Sequence, residues 1–217
     1  MDKTVIFDMD GVIFDTEALW LACWKIIGQK YGIDDLEKVC HMCIGTNSEE
    51  TKKIVLGYYG QEFAYDAYGS EVSRLFHERT DEKGMPVKRG AREFLSYLKV
   101  NGYRVGLASS TKKQIIEEEL GQAGLLSFFQ VIIGGDMVTN SKPDPEIYQR
   151  ACQEMGVQPA HTYAIEDSFN GVRAAHAAGM KVIMVPDLLE PDEEMKELTV
   201  EIFPSLMAVL GYFQSME

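Results

Sequence analysis

The chain has few cysteines, and it has no long apolar run. With four cysteines among 217 residues, we expect no disulfide framework, because disulfide-stapled domains are short and dense in cysteine. No run approaches the roughly 18–20 apolar residues of a membrane-spanning helix. Residues 1–5 predict the start of a strand rather than a basic and then apolar signal peptide. We therefore expect a cytoplasmic protein that does not bind a membrane.

Basic residues are also scarce, with 21 Lys and Arg against 34 Asp and Glu and a formal net charge of −13. Nucleic acids and anionic membrane surfaces require a basic footprint, so the charge argues against both as main partners. A small anionic substrate is still compatible, because it responds to the local charge and to any metal ion. The hydrophobic fraction of 46% suits one domain with a buried core, or one domain with a small insert. We expect a monomer.

The stretch Cys40-His41-Met42-Cys43 has a spacing found in zinc and redox sites. However, no second ligand pair follows at zinc-finger spacing, and the flanking sequence is helical in character. We therefore interpret the two cysteines as buried or half-buried thiols.

The chain divides into a helical segment and a segment of alternating strands and helices. Residues 16–83 contain three helical patterns and no convincing strand, whereas strands and helices alternate after residue 84. The strands are continuous apolar runs, typical of a parallel sheet that is covered on both faces. We predict an α/β fold: a Rossmann-like doubly wound core of residues 1–15 and 84–217, with an all-helical cap of residues 16–83 inserted after the first strand. The hinges are expected near 15–17 and 81–86.

Two acidic residues, Asp8 and Asp10, directly follow the apolar run Thr4–Phe7 and precede Gly11. Alternate residues of a strand point to the same side, so both acids can face one cleft at the carboxyl end of the sheet. Two carboxylates this close need a cation or a shared proton. The alternative is an ordinary turn acid next to a helix cap.

Polar residues end three further predicted segments, and each has a structural alternative as a helix cap, a surface lysine or a first-turn acid. Because the strand ends of such a sheet share one edge, we expect these residues to form one reaction centre for phosphoryl transfer. The segments are Ser109-Ser110-Thr111, Ser141-Lys142-Pro143-Asp144-Pro145 and Glu166-Asp167-Ser168.

This chemistry gives each side chain a role. Asp8, Asp10 and Asp167 offer oxygen ligands for Mg²⁺, and Asp8 can attack phosphorus to form an aspartyl-phosphate. Ser109, together with backbone N–H groups at a helix start, can hold phosphate oxygens, and Lys142 can balance the negative charge. Asp10 can protonate the leaving alkoxide and later deprotonate water.

The four segments together resemble the haloacid dehalogenase-like hydrolase superfamily, in particular its β-phosphoglucomutase-like phosphatases with a helical cap. The resemblance implies a core of strand order 5-4-1-2-3, a nucleophile at Asp8 and an acid/base at Asp10. It implies Mg²⁺ bound by Asp8, the Asp10 carbonyl and Asp167, with Glu166 acting through a water or from behind the ligands. Ser109 and Ser110 are then the phosphate-binding hydroxyls. The resemblance also implies that Asp15 and Thr16 have a structural role and shape the turn into the cap. The matching stretches are Asp8–Thr16, Ala108–Thr111, Ser141–Tyr148 and Ile165–Ser168 followed by Asn170-Gly171.

The same resemblance separates the possible reactions. Asp10 argues against C–halogen cleavage, because a halide leaving group needs no acid. A β-phosphoglucomutase has a cap arginine and a histidine where this chain has Ser48 and Trp20, and a hydroxyl cannot replace a guanidinium on a second phosphate. A phosphonate hydrolase needs a Schiff-base lysine, and Lys52 and Lys53 read as solvated helix residues.

We therefore predict a Mg²⁺-dependent phosphomonoester hydrolase that acts on a small phosphorylated metabolite such as a sugar phosphate. The alternatives are a phosphosugar mutase and a non-catalytic phosphometabolite-binding protein. We expect substrate specificity to come from residues 45–48 and Trp20 of the cap, with Asn47 facing the substrate.

Overall fold

The computed structural model describes residues 3–216, except the side chain of Lys83. A six-stranded parallel sheet has the order β3-β2-β1-β4-β5-β6. The predicted α/β fold class is confirmed, and β1–β5 lie in the predicted order. The strands are β1 (Thr4–Phe7), β2 (Arg104–Ser109), β3 (Val131–Gly134), β4 (Thr162–Glu166), β5 (Lys181–Met184) and β6 (Glu201–Ile202).

Helices cover both faces of the sheet and fill the segment between β1 and β2. The helices are α1 (Glu17–Tyr31), α2 (Leu36–Cys43), α3 (Ser48–Tyr59), α4 (Tyr65–Lys83), α5 (Ala91–Val100), α6 (Lys113–Gln122), α7 (Glu146–Met155), α8 (Phe169–Ala177), α9 (Glu193–Leu198) and α10 (Leu206–Ser215). None of the helices within residues 3–216 combines the length and apolar character needed to cross a membrane.

The strands are apolar on both faces because each face packs against its own helix layer. On β1, Val5 and Phe7 join a cluster with α5, α6 and α10, while Ile6 joins a second cluster with α7, α8 and α9. In the first cluster, Phe94 packs edge-to-face against Phe7 at 5.5 Å and against Phe213 at 5.1 Å between ring centroids. This two-sided burial fixes the strand register and therefore the positions of the strand ends.

The helices α1–α4 have a hydrophobic cluster of their own, built around Cys23, Val39, Val55, Tyr68 and Val72. A separate core is what an inserted cap requires, although the exact domain boundaries at 15/16 and 83/84 stay a prediction.

Two chain segments connect these helices to the sheet, and they pair with each other. The Asp15 N–H donates to the Pro86 carbonyl at 2.7 Å, and the Lys88 N–H donates to the Ile13 carbonyl at 2.9 Å. The Lys88 ammonium also lies 3.3 Å from an Asp15 carboxylate oxygen and 2.6 Å from one of Asp187. The predicted hinge regions are thus adjacent in space.

The sequence pattern does not predict β6 or α10. β6 has two residues and depends on its pairing with β5, which is a tertiary contact. α10 buries Leu206, Val209 and Phe213 against α5, so its apolar side has a clear structural role.

Candidate active site

The residues predicted to form a reaction centre lie where β1, β2 and β4 end side by side. β1 is the middle strand of the three, and its extension Asp8 donates its N–H to the Ile165 carbonyl of β4 at 2.9 Å. Ser109 ends β2 and Glu166 ends β4, and both side chains are buried, as is that of Asp8. Parallel strands place all their carboxyl ends on one edge, which is why residues so distant in sequence meet here.

Lys142 is the cationic centre of this cluster. Its buried ammonium donates to Asp8 Oδ1 at 2.6 Å, to Glu166 Oε1 at 2.6 Å and to the Ala108 carbonyl at 3.2 Å. Tyr148 completes the arrangement, since its hydroxyl donates to the same Glu166 oxygen at 2.6 Å. Tyr148 was not among the predicted site residues, although it lies in the matching stretch Ser141–Tyr148.

The electrostatics of the cluster show a shortage of positive charge. Burial, opposed by Lys142 and assisted by Glu166 and Asp10, raises the pKa of Asp8 to about 8. Burial and the neighbouring carboxylates Glu166 and Asp8 also raise the pKa of Asp167 well above its ordinary value. Burial lowers the pKa of Lys142, but the ion pairs with Asp8 and Glu166 outweigh it and the net pKa is raised. One ammonium therefore serves several buried carboxyl groups, and an additional cation is needed to keep them all ionised.

Glu166 has all its acceptor capacity occupied by the protein. Its Oε1 accepts from Lys142 and Tyr148, and its Oε2 accepts from the N–H groups of Asp167 and Ser168 at 3.1 and 3.3 Å and from the Ser168 hydroxyl at 3.2 Å. Gly171 provides the space: a Cβ at that position would lie 1.9 Å from Glu166 Oε1. Glu166 thus positions Lys142 and the start of α8.

Asp10 lies in a different environment from Asp8. The Thr16 hydroxyl donates to its Oδ1 at 2.8 Å and the Thr111 hydroxyl to its Oδ2 at 3.0 Å. Burial raises the pKa of Asp10, and the two hydroxyls oppose that increase. Gly11, with φ +77°, makes the turn after Asp10, and its missing side chain leaves room for Asp167, because a Cβ there would lie 2.0 Å from Asp167 Oδ2.

Thr16 therefore contacts a predicted site residue, in addition to its place in the turn into the cap. The family resemblance gave it only the turn-shaping role. The short bridge between Asp10 and Phe14 folds the chain back over these residues, which brings Thr16 to the carboxylate six positions earlier. Sequence alone shows the threonine but not this return of the chain.

The acidic side chains fit a divalent cation. One carboxylate oxygen each from Asp8, Glu166 and Asp167 lies within 4.8 Å of the others, and all three residues are buried. Carboxylate oxygens are the ligands that Mg²⁺ prefers. Burial, assisted by the neighbouring carboxylates, raises the pKa of Asp8 and of Asp167, and a cation bound at this point would favour their ionised forms. Because Glu166 already accepts five hydrogen bonds, Asp8 and Asp167 are the carboxylates with capacity for a metal.

The predicted phosphate-binding serines differ in their surroundings. The Ser109 hydroxyl accepts from the Thr111 N–H at 3.1 Å and is buried next to the acids. The Ser110 hydroxyl donates to the carbonyl of Gly45, in the cap, at 3.2 Å. A Cβ on Gly45 would lie 2.7 Å from the Ser168 hydroxyl oxygen, so the cap loop packs closely on the core.

A cavity of about 420 Å³ lies between the cap and these strand ends. Its lining includes Asp8, Asp10, Asp167 and, from the cap, Trp20 and Asn47. The Trp20 ring stacks on Phe76 at 4.2 Å, and Asn47 Oδ1 accepts from the Glu50 N–H at 2.9 Å as the N-cap of α3. Asn47 therefore has one structural contact and faces the cavity as well.

Two carboxyl groups in this cavity were not predicted from the sequence. Glu17, on α1, and Glu119, on α6, line it, and neither side chain has a hydrogen bond or ion pair with any described residue. Burial raises the pKa of each to about 8. In the sequence, Glu17 and Glu119 look like ordinary acidic residues on the surface of a helix. Only the three-dimensional structure shows that they line the cavity.

The interpretation of the cysteines and cap lysines agrees with the structure. Cys40 and Cys43 line the cavity as free thiols, and burial raises the pKa of each to about 12, so they are not thiolates at neutral pH. Lys52 pairs with Asp66 at 2.7 Å on the cap surface, and Lys53 with Glu50 at 3.1 Å.

Known proteins resemble this chain in both sequence and fold. A family model described as haloacid dehalogenase-like hydrolase matches residues 5–185. The phosphorylated carbohydrates phosphatase of Thermotoga maritima is 32% identical over 185 residues, which cover 83% of each chain. The beta-phosphoglucomutase of Bacillus subtilis is 30% identical over 191 residues, covering 84% of this chain and 83% of that protein.

A solved structure supports the same relationship. The crystal structure of CbbY from Rhodobacter sphaeroides in complex with phosphate is 26% identical, with a TM-score of 0.78, and the match covers 95% of each chain. The family match extends over most of the chain and includes the first, second, third and fourth polar segments. The protein therefore belongs to the haloacid dehalogenase-like hydrolase family.

Proposed function

We propose that the protein is a Mg²⁺-dependent phosphatase that cleaves small phosphorylated metabolites, including sugar phosphates, through an aspartyl-phosphate on Asp8. The observation that carries the proposal is the asymmetric pair of acids. Asp8 is ion-paired to Lys142, whereas Asp10 is held by two hydroxyls on the other side of the turn. A nucleophile and a proton carrier need such different environments.

Asp8 acts as the nucleophile. Its Oδ1 accepts from Lys142, and its Oδ2 has no hydrogen bond from the described residues, so one oxygen is oriented and the other is available to attack phosphorus. The new bond joins the Asp8 carboxylate oxygen to phosphorus while the bond from phosphorus to the ester oxygen breaks. Lys142 and the N–H groups that follow Ser109 balance the charge of the transferring group.

Asp10 carries the proton in both steps. It gives its proton to the leaving alkoxide, which departs as an alcohol, and it then removes a proton from the water that attacks the aspartyl-phosphate. That attack releases inorganic phosphate and restores the Asp8 carboxylate. Thr16 and Thr111 hold the carboxyl group so that one orientation serves both steps.

Asp8 and Asp167 would hold Mg²⁺, together with the Asp10 carbonyl that the family resemblance indicates. A bound Mg²⁺ supplies positive charge that favours the ionised form of Asp8 and neutralises the phosphate oxygens. Glu166 stands behind these ligands and orients Lys142. Of the two predicted serines, Ser109 has the better-placed hydroxyl, because that of Ser110 donates to the cap.

Hydrolysis is favoured over phosphosugar transfer between two positions. A mutase must hold a second phosphate in its cap, and Ser48 occupies that wall of the cavity. Trp20 stacks on Phe76 instead of offering a proton-transferring ring nitrogen. The non-catalytic alternative is disfavoured because Asp8, Asp10, Lys142 and Asp167 are all present. Lys142 donates to Asp8, and the Thr16 and Thr111 hydroxyls donate to Asp10.

Release of inorganic phosphate from a panel of phosphomonoesters, with Mg²⁺ and with EDTA, tests the proposal. We expect Mg²⁺-dependent turnover that Asp8→Asn abolishes and that Asp81→Asn, a change at an exposed aspartate of α4, leaves intact. Turnover surviving in Asp8→Asn contradicts the nucleophile assignment. Tight binding of sugar phosphates without phosphate release in the wild type supports the binding-protein alternative instead.

A further inference from the structure

Glu119 is the carboxyl group of α6 that faces the cavity. Ile116 and Leu120 of the same helix are buried in the core, while Ile115 and Glu119, one helical turn apart, line the cavity. The two preceding acids are directed to solvent: Glu117 lies 3.7 Å from the ammonium of Lys113, and Glu118 accepts from Gln114 at 2.9 Å. Glu119 differs from both neighbours because it is half-buried and has no partner among the described residues.

A half-buried carboxyl group without a partner loses hydration and gains no hydrogen bond in return. Such a group is expected to find its partner in a bound molecule. Glu119 lines the same cavity as Asp10, the residue that delivers the proton to the leaving group in the proposed function. Its side chain therefore borders the space that a leaving group would occupy.

The charge of the cavity wall restricts what can bind there. Glu17 adds a second carboxyl group on the cap side, and the basic side chains among the described lining residues, Lys112 and His77, are both exposed. An exposed cation is screened by solvent and attracts an anion weakly. The buried part of the wall thus has no group that balances a second phosphate.

We propose that Glu119 is a specificity-determining residue that hydrogen-bonds hydroxyl groups of an uncharged sugar or polyol leaving group and excludes a leaving group with a second phosphate. This inference rests on the proposed function, because it concerns the alcohol that the phosphatase releases. A carboxyl group exchanges hydrogen bonds with hydroxyls in either protonation state. The Trp20–Phe76 stack offers an apolar surface to the C–H groups of the same molecule.

The experiment compares leaving groups in a matched set of variants. Glu119→Leu removes the carboxyl group, Glu119→Lys replaces it with an ammonium group, and Glu118→Leu and Glu118→Lys make the same changes at the exposed neighbour. The substrates are a panel of hexose, pentose and hexitol monophosphates, fructose 1,6-bisphosphate, phosphoethanolamine and p-nitrophenyl phosphate. The last has no hydroxyl on its leaving group and reports the intact reaction centre and fold.

We expect Glu119→Leu to lower kcat/KM for the best sugar or polyol monophosphate by about tenfold or more, the usual effect of losing a hydrogen bond that a site is built to make. Hydrolysis of p-nitrophenyl phosphate stays within about twofold, as do all activities of the Glu118 variants. Glu119→Lys raises kcat/KM for fructose 1,6-bisphosphate relative to the monophosphates, because it places a cation on the wall.

Three results overturn the inference. The first is a Glu119→Leu enzyme whose ratio of sugar phosphate to p-nitrophenyl phosphate hydrolysis equals that of the wild type. The second is a wild type that prefers the bisphosphate. The third is a preference for phosphoethanolamine that Glu119→Leu removes, which assigns Glu119 to an ammonium group instead. If the wild type hydrolyses nothing, the proposed function fails, and calorimetric binding of glucose 6-phosphate to wild type and Glu119→Leu still tests Glu119.

Discussion

The replacement Gly171→Ala tests the role of Glu166 without changing any charged residue. Gly171 lies in the first turn of α8, and its N–H donates to the Ser168 hydroxyl at 3.1 Å. An added methyl group would lie 1.9–2.2 Å from the three carboxylate atoms of Glu166. Since no contact that short is possible, the Glu166 carboxylate must move away from Lys142 and from the start of α8.

The cost follows from what Glu166 binds. Alanine in a helix gains about 1 kcal/mol over glycine. Against this gain, separating one partner of a buried ion pair costs about 3–5 kcal/mol, because the remaining charge stays buried without compensation. We therefore expect Gly171→Ala to lower the free energy of unfolding by about 2–4 kcal/mol. The displaced Glu166 also releases Lys142 from one of its two carboxylates.

The assays are urea unfolding followed by circular dichroism and Mg²⁺-dependent hydrolysis of p-nitrophenyl phosphate. The control is Gly211→Ala in α10, where the glycine is exposed and an added Cβ meets no atom within 4 Å. We expect the control to gain about 0.5–1 kcal/mol with unchanged activity. We expect Gly171→Ala to lose about 10–100-fold in kcat/KM, as is usual when the partner that orients a site residue is displaced.

The reasoning is refuted if Gly171→Ala and Gly211→Ala change stability and activity in the same way. If Gly171→Ala gains stability as Gly211→Ala does, Glu166 is not packed against α8 as described. If it is destabilised but fully active, the Glu166–Lys142 contact stabilises the fold and has no part in the reaction.

Three further predictions concern the turn and the cavity. Thr16→Val removes a hydroxyl donor of Asp10, the proposed catalytic acid, and we expect kcat to fall by about tenfold in steady-state assays, with little change in the urea midpoint. Gly11→Ala forces a Cβ to within 2.0 Å of Asp167 Oδ2 at a φ of +77°, so we expect weaker Mg²⁺ affinity, read from the Mg²⁺ concentration that gives half-maximal rate. Glu119→Gln should become more stable relative to the wild type as the pH rises from about 5 to 8, read from urea unfolding in EDTA.

The sign of that last effect comes from proton binding. The pKa of Glu119 is about 8 when folded, against an ordinary value of 4.5. Between these values the folded wild type holds the proton more tightly than the unfolded chain, so its stability is complete at low pH and falls as the pH rises. A dry site would give an upper limit of about 5 kcal/mol, and the partial exposure of the side chain reduces the expected effect to about 1–2 kcal/mol.

Unchanged rates in Thr16→Val would mean that the hydrogen bond to Asp10 has no effect on catalysis. A Gly11→Ala enzyme with wild-type Mg²⁺ dependence would show that the turn tolerates a side chain. A pH-independent difference between Glu119→Gln and the wild type would mean that the carboxyl group is well solvated.

Local sequence determines much of this protein. The apolar strand runs and the polar residues that follow them depend on chemistry within a few positions, which is why the α/β fold and the position of Asp8 could be predicted. The resemblance to the hydrolase family, whose model matches residues 5–185, was visible for the same reason, since its motifs are short and in order. The roles of Ser110 and Asn47 were less accessible, because each depends on how the cap loop sits on the core.

The tertiary structure alone decided how the polar groups are partnered. Lys142 meets Asp8 across 134 positions of the chain, and Thr111 meets Asp10 across 101. In the sequence, nothing distinguishes Glu119 from Glu117 and Glu118. Glu119 lines the cavity only because the cap packs over this part of the core. Sequence specifies residue type and local geometry, but burial and hydrogen-bond partners arise from packing between distant segments, and these set the charge and the specificity of the site.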